Sequence, residues 1–409
     1  MAENQKKAGL AAMSGPLKGI KILDLSWILS GPFATMVLAD LGAEVIKVER
    51  PGWGDLARGN GPFIDGESSY FLSINRGKKS LTLDLQKDEG KKIFLELVKK
   101  ADVVVENFSA GTLARLGLGY EAISKVNPGI ILASISGFGQ DGPYKSKPAL
   151  DVIVQAMGGI MSITGEPGRP PIRPGVSYGD IAAGLYCSVA VVAAVYERAK
   201  SGRGQAIDIS MLDCQVAVLE NAFARYFATG EVPAPLGTRH PVFTPFQAFE
   251  TKDGYIVVAI VGGTKNQWPL FCVTLGLIDL IDDQRFRDGW SRTTHYAELE
   301  PILTSTMRSK TSREWLEELS EVGIACGPVN NIAQAAADPQ VIYRDMIIQV
   351  PHPRLGEVKT VNTPIRMSAT PARVEKAAPD LGQDTRDVLK EWLGLDDKEI
   401  DRLAEAEII

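Results

Sequence analysis

Gly179-Asp180 stands directly before a run of small and apolar residues, Ile181-Ala-Ala-Gly-Leu185, which stays apolar as far as Tyr196. An aspartate at the start of a helix commonly caps its unpaired backbone N–H groups. The helix N-terminus in turn favours the charged form by about 0.3–1 kcal/mol, so the carboxylate is kept ionised and in place. Local sequence alone favours the cap, and that reading does not exclude a carboxylate doing covalent chemistry. Further along, Val261-Gly262-Gly263-Thr264 follows a predicted strand. Glycines there let backbone N–H groups approach an oxyanion; a plain strand-end turn fits equally well. Arg76, Lys78 and Lys79 form a basic loop that reads as a solvated turn. Arg169, Arg173 and Arg239 could pair a substrate carboxylate but read individually as surface arginines.

Other chemistries are disfavoured. The four cysteines, Cys187, Cys214, Cys272 and Cys326, include no CxxC pair, and with only three histidines no metal site is expected. Scattered cysteines suit a reducing compartment, so a cytoplasmic location is expected. No GxGxxG follows the first predicted strand and no GxxxxGK[ST] occurs anywhere, so neither NAD, FAD nor ATP is expected. A net charge of -6 argues against nucleic acid as a partner. The apolar run 181–196 is short for a membrane span.

The elements that must position these residues alternate. Strands are predicted at 20–25, 44–48, 80–85, 102–106, 130–135 and 206–209. Helices are predicted at 33–41, 89–100, 111–116, 181–200 and 211–226. This alternation implies an α/β fold with a parallel sheet under covering helices. Residues 136–179 are rich in Gly and Pro and read as irregular. The expected layout is a loose tail at 1–15, a large domain at 16–226, a linker at 227–245 and a smaller α/β domain at 246–329. A return segment at 330–409 is expected to pack back on the large domain and to carry a charged helix at 385–392.

An ordered series of segments resembles the family III CoA-transferases, which include formyl-CoA:oxalate and carnitine CoA-transferases and the related α-methylacyl-CoA racemases. The series runs through Pro16-Leu-Lys-Gly-Ile-Lys-Ile-Leu-Asp-Leu25, Gly31-Pro32 and Leu41-Gly-Ala-Glu-Val-Ile-Lys-Val-Glu-Arg50. It continues through Asn75-Arg-Gly-Lys-Lys-Ser80, Ala101-Asp-Val-Val-Val-Glu-Asn-Phe108 and Gly137-Phe-Gly-Gln-Asp-Gly-Pro143. Gly179-Asp180, Ser201-Gly-Arg-Gly-Gln205, Arg239-His240-Pro241 and Cys326-Gly327-Pro328-Val329 complete it.

The resemblance implies a Rossmann-like large domain plus a smaller domain in an interlocked homodimer. It implies coenzyme A transfer between an acyl-CoA, with succinyl-CoA a reasonable donor, and a small carboxylic acid. Asp180 would be the nucleophile, and Gly262 and Gly263 a loop over the reacting carbonyl, although the family's glycine run is longer. Ser30, Arg50, Leu83, Asn107 and Arg115 match positions that contact coenzyme A, and Leu29 stands where the family has a glutamine. Asp151 matches a second acidic position, for which a solvated or capping aspartate is the plainer reading. The racemases carry a histidine just before that position, where this chain has Leu150, so proton abstraction is the weaker alternative. A non-catalytic CoA-binding protein, the third reading, would be expected to lack Asp180.

Overall fold

The computed structural model describes residues 15–261 and 267–409. The described residues divide into two compact units: 15–160, 173–228 and 340–409 form the first, and 161–172, 229–261 and 267–339 the second.

The first unit is built on six parallel strands: β1 (Lys21–Asp24), β2 (Glu44–Glu49), β3 (Lys79–Thr82), β4 (Val103–Glu106), β5 (Ile131–Ser136) and β6 (Ala206–Ser210). Their spatial order is β3-β2-β1-β4-β5-β6, so the winding direction reverses between β1 and β4. This is the doubly wound order, and ligands in such sheets bind at the carboxyl ends of the strands where the order reverses. Both faces are buried, which explains unbroken apolar runs such as Val103 to Val105. Alternation sorts the side chains: Leu23 and Val104 join one core cluster, whereas Ile22, Val103 and Val105 join the other.

The second of these clusters is covered by helices α1 (Ser30–Asp40) and, further along the chain, the 24-residue helix over Tyr178–Ser201. These two pack closely because small residues meet between them. A Cβ added at Gly184 would lie 2.8 Å from the Ser30 carbonyl oxygen, and the Ser188 hydroxyl donates to the Ala34 carbonyl at 3.2 Å. The long helix is apolar enough to cross a membrane by composition; here it is a core helix with Ala183, Cys187 and Val191 buried. On the opposite face lies α2 (Asp88–Val98), whose Gly90, Ile93, Phe94, Leu97 and Val98 recur at helical spacing and are buried. Beside it pack two helices near the end of the chain, at Thr385–Leu393 and Asp397–Glu405, through Val388, Leu389, Trp392, Ile400 and Leu403.

Several expectations are corrected. The 136–179 stretch is not wholly irregular: α3 (Asp151–Gly158) lies inside it, ahead of the long helix, hereafter α4. The helix predicted over 211–226 breaks at Leu219 into α5 (Met211–Val218) and α6 (Glu220–Thr229). Arg76 and Lys78 are buried, not solvated. Arg76 pairs with Asp40 at 2.7 Å and Lys78 with Asp24 at 2.9 Å. Lys79 is partly exposed and bridges Glu44 and Glu391.

The second unit holds a three-stranded antiparallel sheet of β7 (Phe246–Glu250), β8 (Tyr255–Ala259) and β9 (Ala325–Pro328), with β8 central. Its core gathers Phe249, Ile256, Val258, Trp268, Phe271, Leu299, Leu303, Trp315 and Leu319. Gly262 and Gly263 lie outside the described residues.

Candidate active site

Asp180 is not the cap of α4. Ser177 occupies the cap position and Asp180 is the third residue of the helix, still within the first turn where negative charge is favoured. The residue before it is fixed from α3: the Gly179 N–H donates to Asp151 Oδ1 at 2.9 Å. A Cβ at Gly179 would stand 2.7 Å from Val154 Cγ2 and 3.1 Å from that same carboxylate oxygen, so only glycine allows the approach. The other oxygen of Asp151 accepts from Gln155 Nε2 at 2.7 Å and from Arg173, which also donates to the Ser177 hydroxyl. Asp151 is therefore neither a solvated aspartate nor the cap of α3. Arg173 is likewise not an idle surface arginine, because it ties Asp151 to the start of α4.

Burial raises the Asp180 carboxyl, the nearby charge of Asp151 raises it further, and a hydrogen bond from the Ser30 hydroxyl together with the charge of Arg173 pulls it partly back, leaving it pushed up to about 7. Tyr70 feels the same charges: burial, then Asp180, Asp55 and Asp151, push its phenol up to about 12.

Ser30 begins α1 at the carboxyl end of β1, and Asn107 follows β4, so the two meet where the strand order reverses. Asn107 Nδ2 donates to the Ser30 hydroxyl at 3.1 Å and to the Trp27 carbonyl at 2.8 Å, while its Oδ1 accepts the Trp27 N–H at 2.9 Å. Below this turn lies a buried ionic cluster. Asp24 accepts from Lys78, Thr35 and Ser26, and Lys47 pairs with Asp55 at 2.8 Å. Burial alone would raise Asp24, but Lys78 and Lys47 outweigh it and hold the carboxyl well below the usual carboxylate range. Burial also lowers Lys78, to about 8 despite Asp24.

Two cavities flank the turn. The inner one, about 170 Å³, is lined by Ser30, Asn107, Asp151 and Asp180 together with Lys145 and Lys147. The outer one, about 410 Å³, is lined by Arg50, Trp53, Leu83, Leu85 and Thr112. Both are bounded by Trp27 and Phe108, whose rings meet edge to face at 5.7 Å. Arg50 is exposed and has no side-chain partner among the described residues. Leu83 serves the outer cavity and the core at once. Arg115 lines neither cavity; its guanidinium binds the Thr112 hydroxyl at 2.7 Å. Lys145 and Lys147 are not singled out by the sequence, since two lysines in a Gly/Pro-rich loop carry no local sign of lining a cavity.

The arrangement places a half-buried carboxylate at the switch point of a doubly wound sheet, beside two cavities that share Trp27 and Phe108 as lining residues. A model of CoA-transferase family III matches residues 17–385. Succinyl-CoA:glutarate CoA-transferase of Homo sapiens is 41% identical over 395 residues, spanning 96% of this chain and 90% of that protein. Acetyl-CoA:oxalate CoA-transferase of Acetobacter aceti is 38% identical, spanning 93% of this chain and 97% of that protein. A solved CAIB/BAIF family protein from Brucella suis superposes with a TM-score of 0.83 at 38% identity, covering 93% of this chain and 100% of that one. The chain belongs to CoA-transferase family III and is a CoA-transferase. The racemase and non-catalytic alternatives give way to this assignment, and no histidine lines the inner cavity among the described residues.

Proposed function

We propose that this enzyme moves coenzyme A from succinyl-CoA to a small carboxylic acid through a covalent intermediate on Asp180. One observation carries the reading: Asp180 sits half-buried in the switch-point crevice, beside Ser30 and on the Asp151-anchored start of its helix. An Asp180 oxygen attacks the thioester carbonyl, the C–S bond breaks, and a mixed anhydride and coenzyme A thiolate result. The thiolate then attacks the aspartyl carbonyl and releases the donor acid, leaving an enzyme–CoA thioester. The acceptor carboxylate repeats the sequence in reverse and frees Asp180. No net proton is transferred, so the chemistry needs no general base beside Asp180 and accommodates Leu150 there. Burial suits this nucleophile because a poorly solvated carboxylate is more reactive towards a carbonyl. The outer cavity would hold the nucleotide end against Arg50 and Leu83, with the thiol end passing Trp27 to Ser30 and Asn107.

The donor rests on the relatives named for succinyl-CoA, and the acceptor is best sought among short dicarboxylic acids, since relatives are named for glutarate, mesaconate and citramalate. We further propose a homodimer, interlocked as the family resemblance implies. In support, α4 leaves Leu185, Tyr186, Val189 and Tyr196 exposed, with Val189 at 67%, and Phe227 of α6 is exposed as well. The four unpaired cysteines support a reducing, cytoplasmic setting.

The test is intact-mass spectrometry after incubation with succinyl-CoA. A succinyl- or CoA-sized adduct on the wild type and none on Asp180→Ala supports the reading. An adduct of equal yield on both proteins overturns it. Light scattering should give twice the 44.2 kDa chain mass; a monomer would remove the dimer from the proposal.

A further inference from the structure

Ile28, in the turn between β1 and α1, has φ +65°. A β-branched residue in the left-handed region is an outlier that persists only where its surroundings impose it. The surroundings here are explicit. Asp55 Oδ1 accepts the Ile28 N–H at 2.9 Å. Asn107 takes both the N–H and the carbonyl of Trp27. Lys47 donates to the Ser26 carbonyl at 2.6 Å and pairs with Asp55 at 2.8 Å. Asp55 is itself fixed, its N–H donating to Glu49 at 3.0 Å and its carboxylate accepting the Ala57 N–H at 2.8 Å. Two consecutive peptide groups, 26–27 and 27–28, are thus each gripped at both ends, by the buried Lys47 and Asp55 and the half-buried Asn107. Two residues after Ile28 the chain reaches Ser30, whose hydroxyl accepts from Asn107 and lines the inner cavity together with Asp180.

We propose that Asp55 is a positioning residue for acyl transfer: its grip on the Ile28 N–H holds the turn in the left-handed form that aims the Ser30 hydroxyl at Asp180. Asp55 lines the outer cavity and not the inner one, so it does not touch the reacting atoms, and measuring at saturating succinyl-CoA removes any effect it has on binding there. Without the grip, Ile28 relaxes towards negative φ and the start of α1 moves with it, taking Ser30 off Asp180. The inference rests on the reading of Asp180 as the reacting carboxylate.

The experiment measures the rate of covalent adduct formation at saturating succinyl-CoA. Asp55→Ala is expected to slow it by about five- to thirtyfold, the population ratio set by the cost of a left-handed non-glycine residue. Adding Ile28→Gly should restore most of the rate, because glycine adopts positive φ without penalty. If Asp55 only balanced the charge of Lys47, the second substitution would restore nothing, and that result overturns the proposal. A wild-type rate for Asp55→Ala overturns it as well. Ile28→Pro leaves the buried ion pairs untouched and locks φ near -65°. It should lose at least about tenfold, which keeps the test decisive if Asp55→Ala fails to fold; an undiminished rate with Ile28→Pro refutes the proposal. Asp180→Ala is run alongside. If it too forms adduct, the nucleophile reading fails. If it is inert while Asp55→Ala is fully active, only the positioning role fails.

Discussion

Replacing Asp180 by Asn should stabilise the ligand-free protein, and by an amount that depends on pH. The Asp180 carboxyl lies near 7 in the fold and at 3.8 when exposed. Between those values the folded state binds a proton that the unfolded state has released, so stability falls as pH rises through this window. Three pH units at about 1.4 kcal/mol each set a ceiling near 4 kcal/mol. The side chain keeps some contact with water, and screening brings the expected figure to about 2–4 kcal/mol. Asn fills the same space, can still bond to Ser30, and carries no charge. Urea unfolding of both proteins, at matched concentration and at intervals from pH 4 to 8, is the assay. The gap between Asp180→Asn and wild type should be near zero at pH 4 and reach its full size by pH 8. Glu106, which burial also pushes up to about 7, titrates in both proteins and cancels in the difference. A gap that does not change with pH, or a variant less stable than wild type at pH 8, would refute the argument that the site holds this carboxylate at a cost.

Asp151→Asn removes the like charge beside Asp180, so the acid limb of the kcat/KM profile, which rises with pH through about 7 in the wild type, should move to lower pH. Arg50→Ala should weaken coenzyme A binding by calorimetry while leaving stability within about 0.5 kcal/mol, because Arg50 is exposed and has no side-chain partner among the described residues. Leu83→Ala should weaken binding and also cost about 2–5 kcal/mol in a melt, since Leu83 belongs to the core as well as the cavity. Lys78→Met leaves the Asp24 carboxylate buried without its cation, and a loss of about 3–5 kcal/mol in urea unfolding is expected.

The sheet was legible where local pattern is strong. β1, β2, β4 and β5 announce themselves as short β-branched runs, and α2 through its helical spacing of apolar residues. What escaped depends on partners far along the chain. Nothing near Lys78 reveals that Asp24, 54 positions earlier, will neutralise it in the core, so a basic turn looks solvated. Arg173 likewise meets Asp151 only because α3 and α4 are packed together. α3 was missed because it is eight residues long in a Gly/Pro-rich setting and leaves Val152, Ile153 and Met157 exposed. The helix at Asp397–Glu405 was missed because it buries only Ile400 and Leu403 among charged neighbours. Asp180 stands out only through the family resemblance; its local sequence says only that a helix begins there.

The order in which the first unit is completed has a consequence for synthesis. One face of its sheet is closed by residues from 385–408, including a bond from the Asp84 N–H to the Ile408 carbonyl. β4 emerges from the ribosome about 300 residues earlier, an interval of roughly 15–60 s at ordinary elongation rates. Throughout that time Leu81, Leu83 and Val104 lack their final cover, and the sheet face is open to chaperones or to wrong pairing. A premature stop just before residue 385 should therefore be as damaging to yield as one in the middle of the sheet, although every residue of the crevice has by then been made.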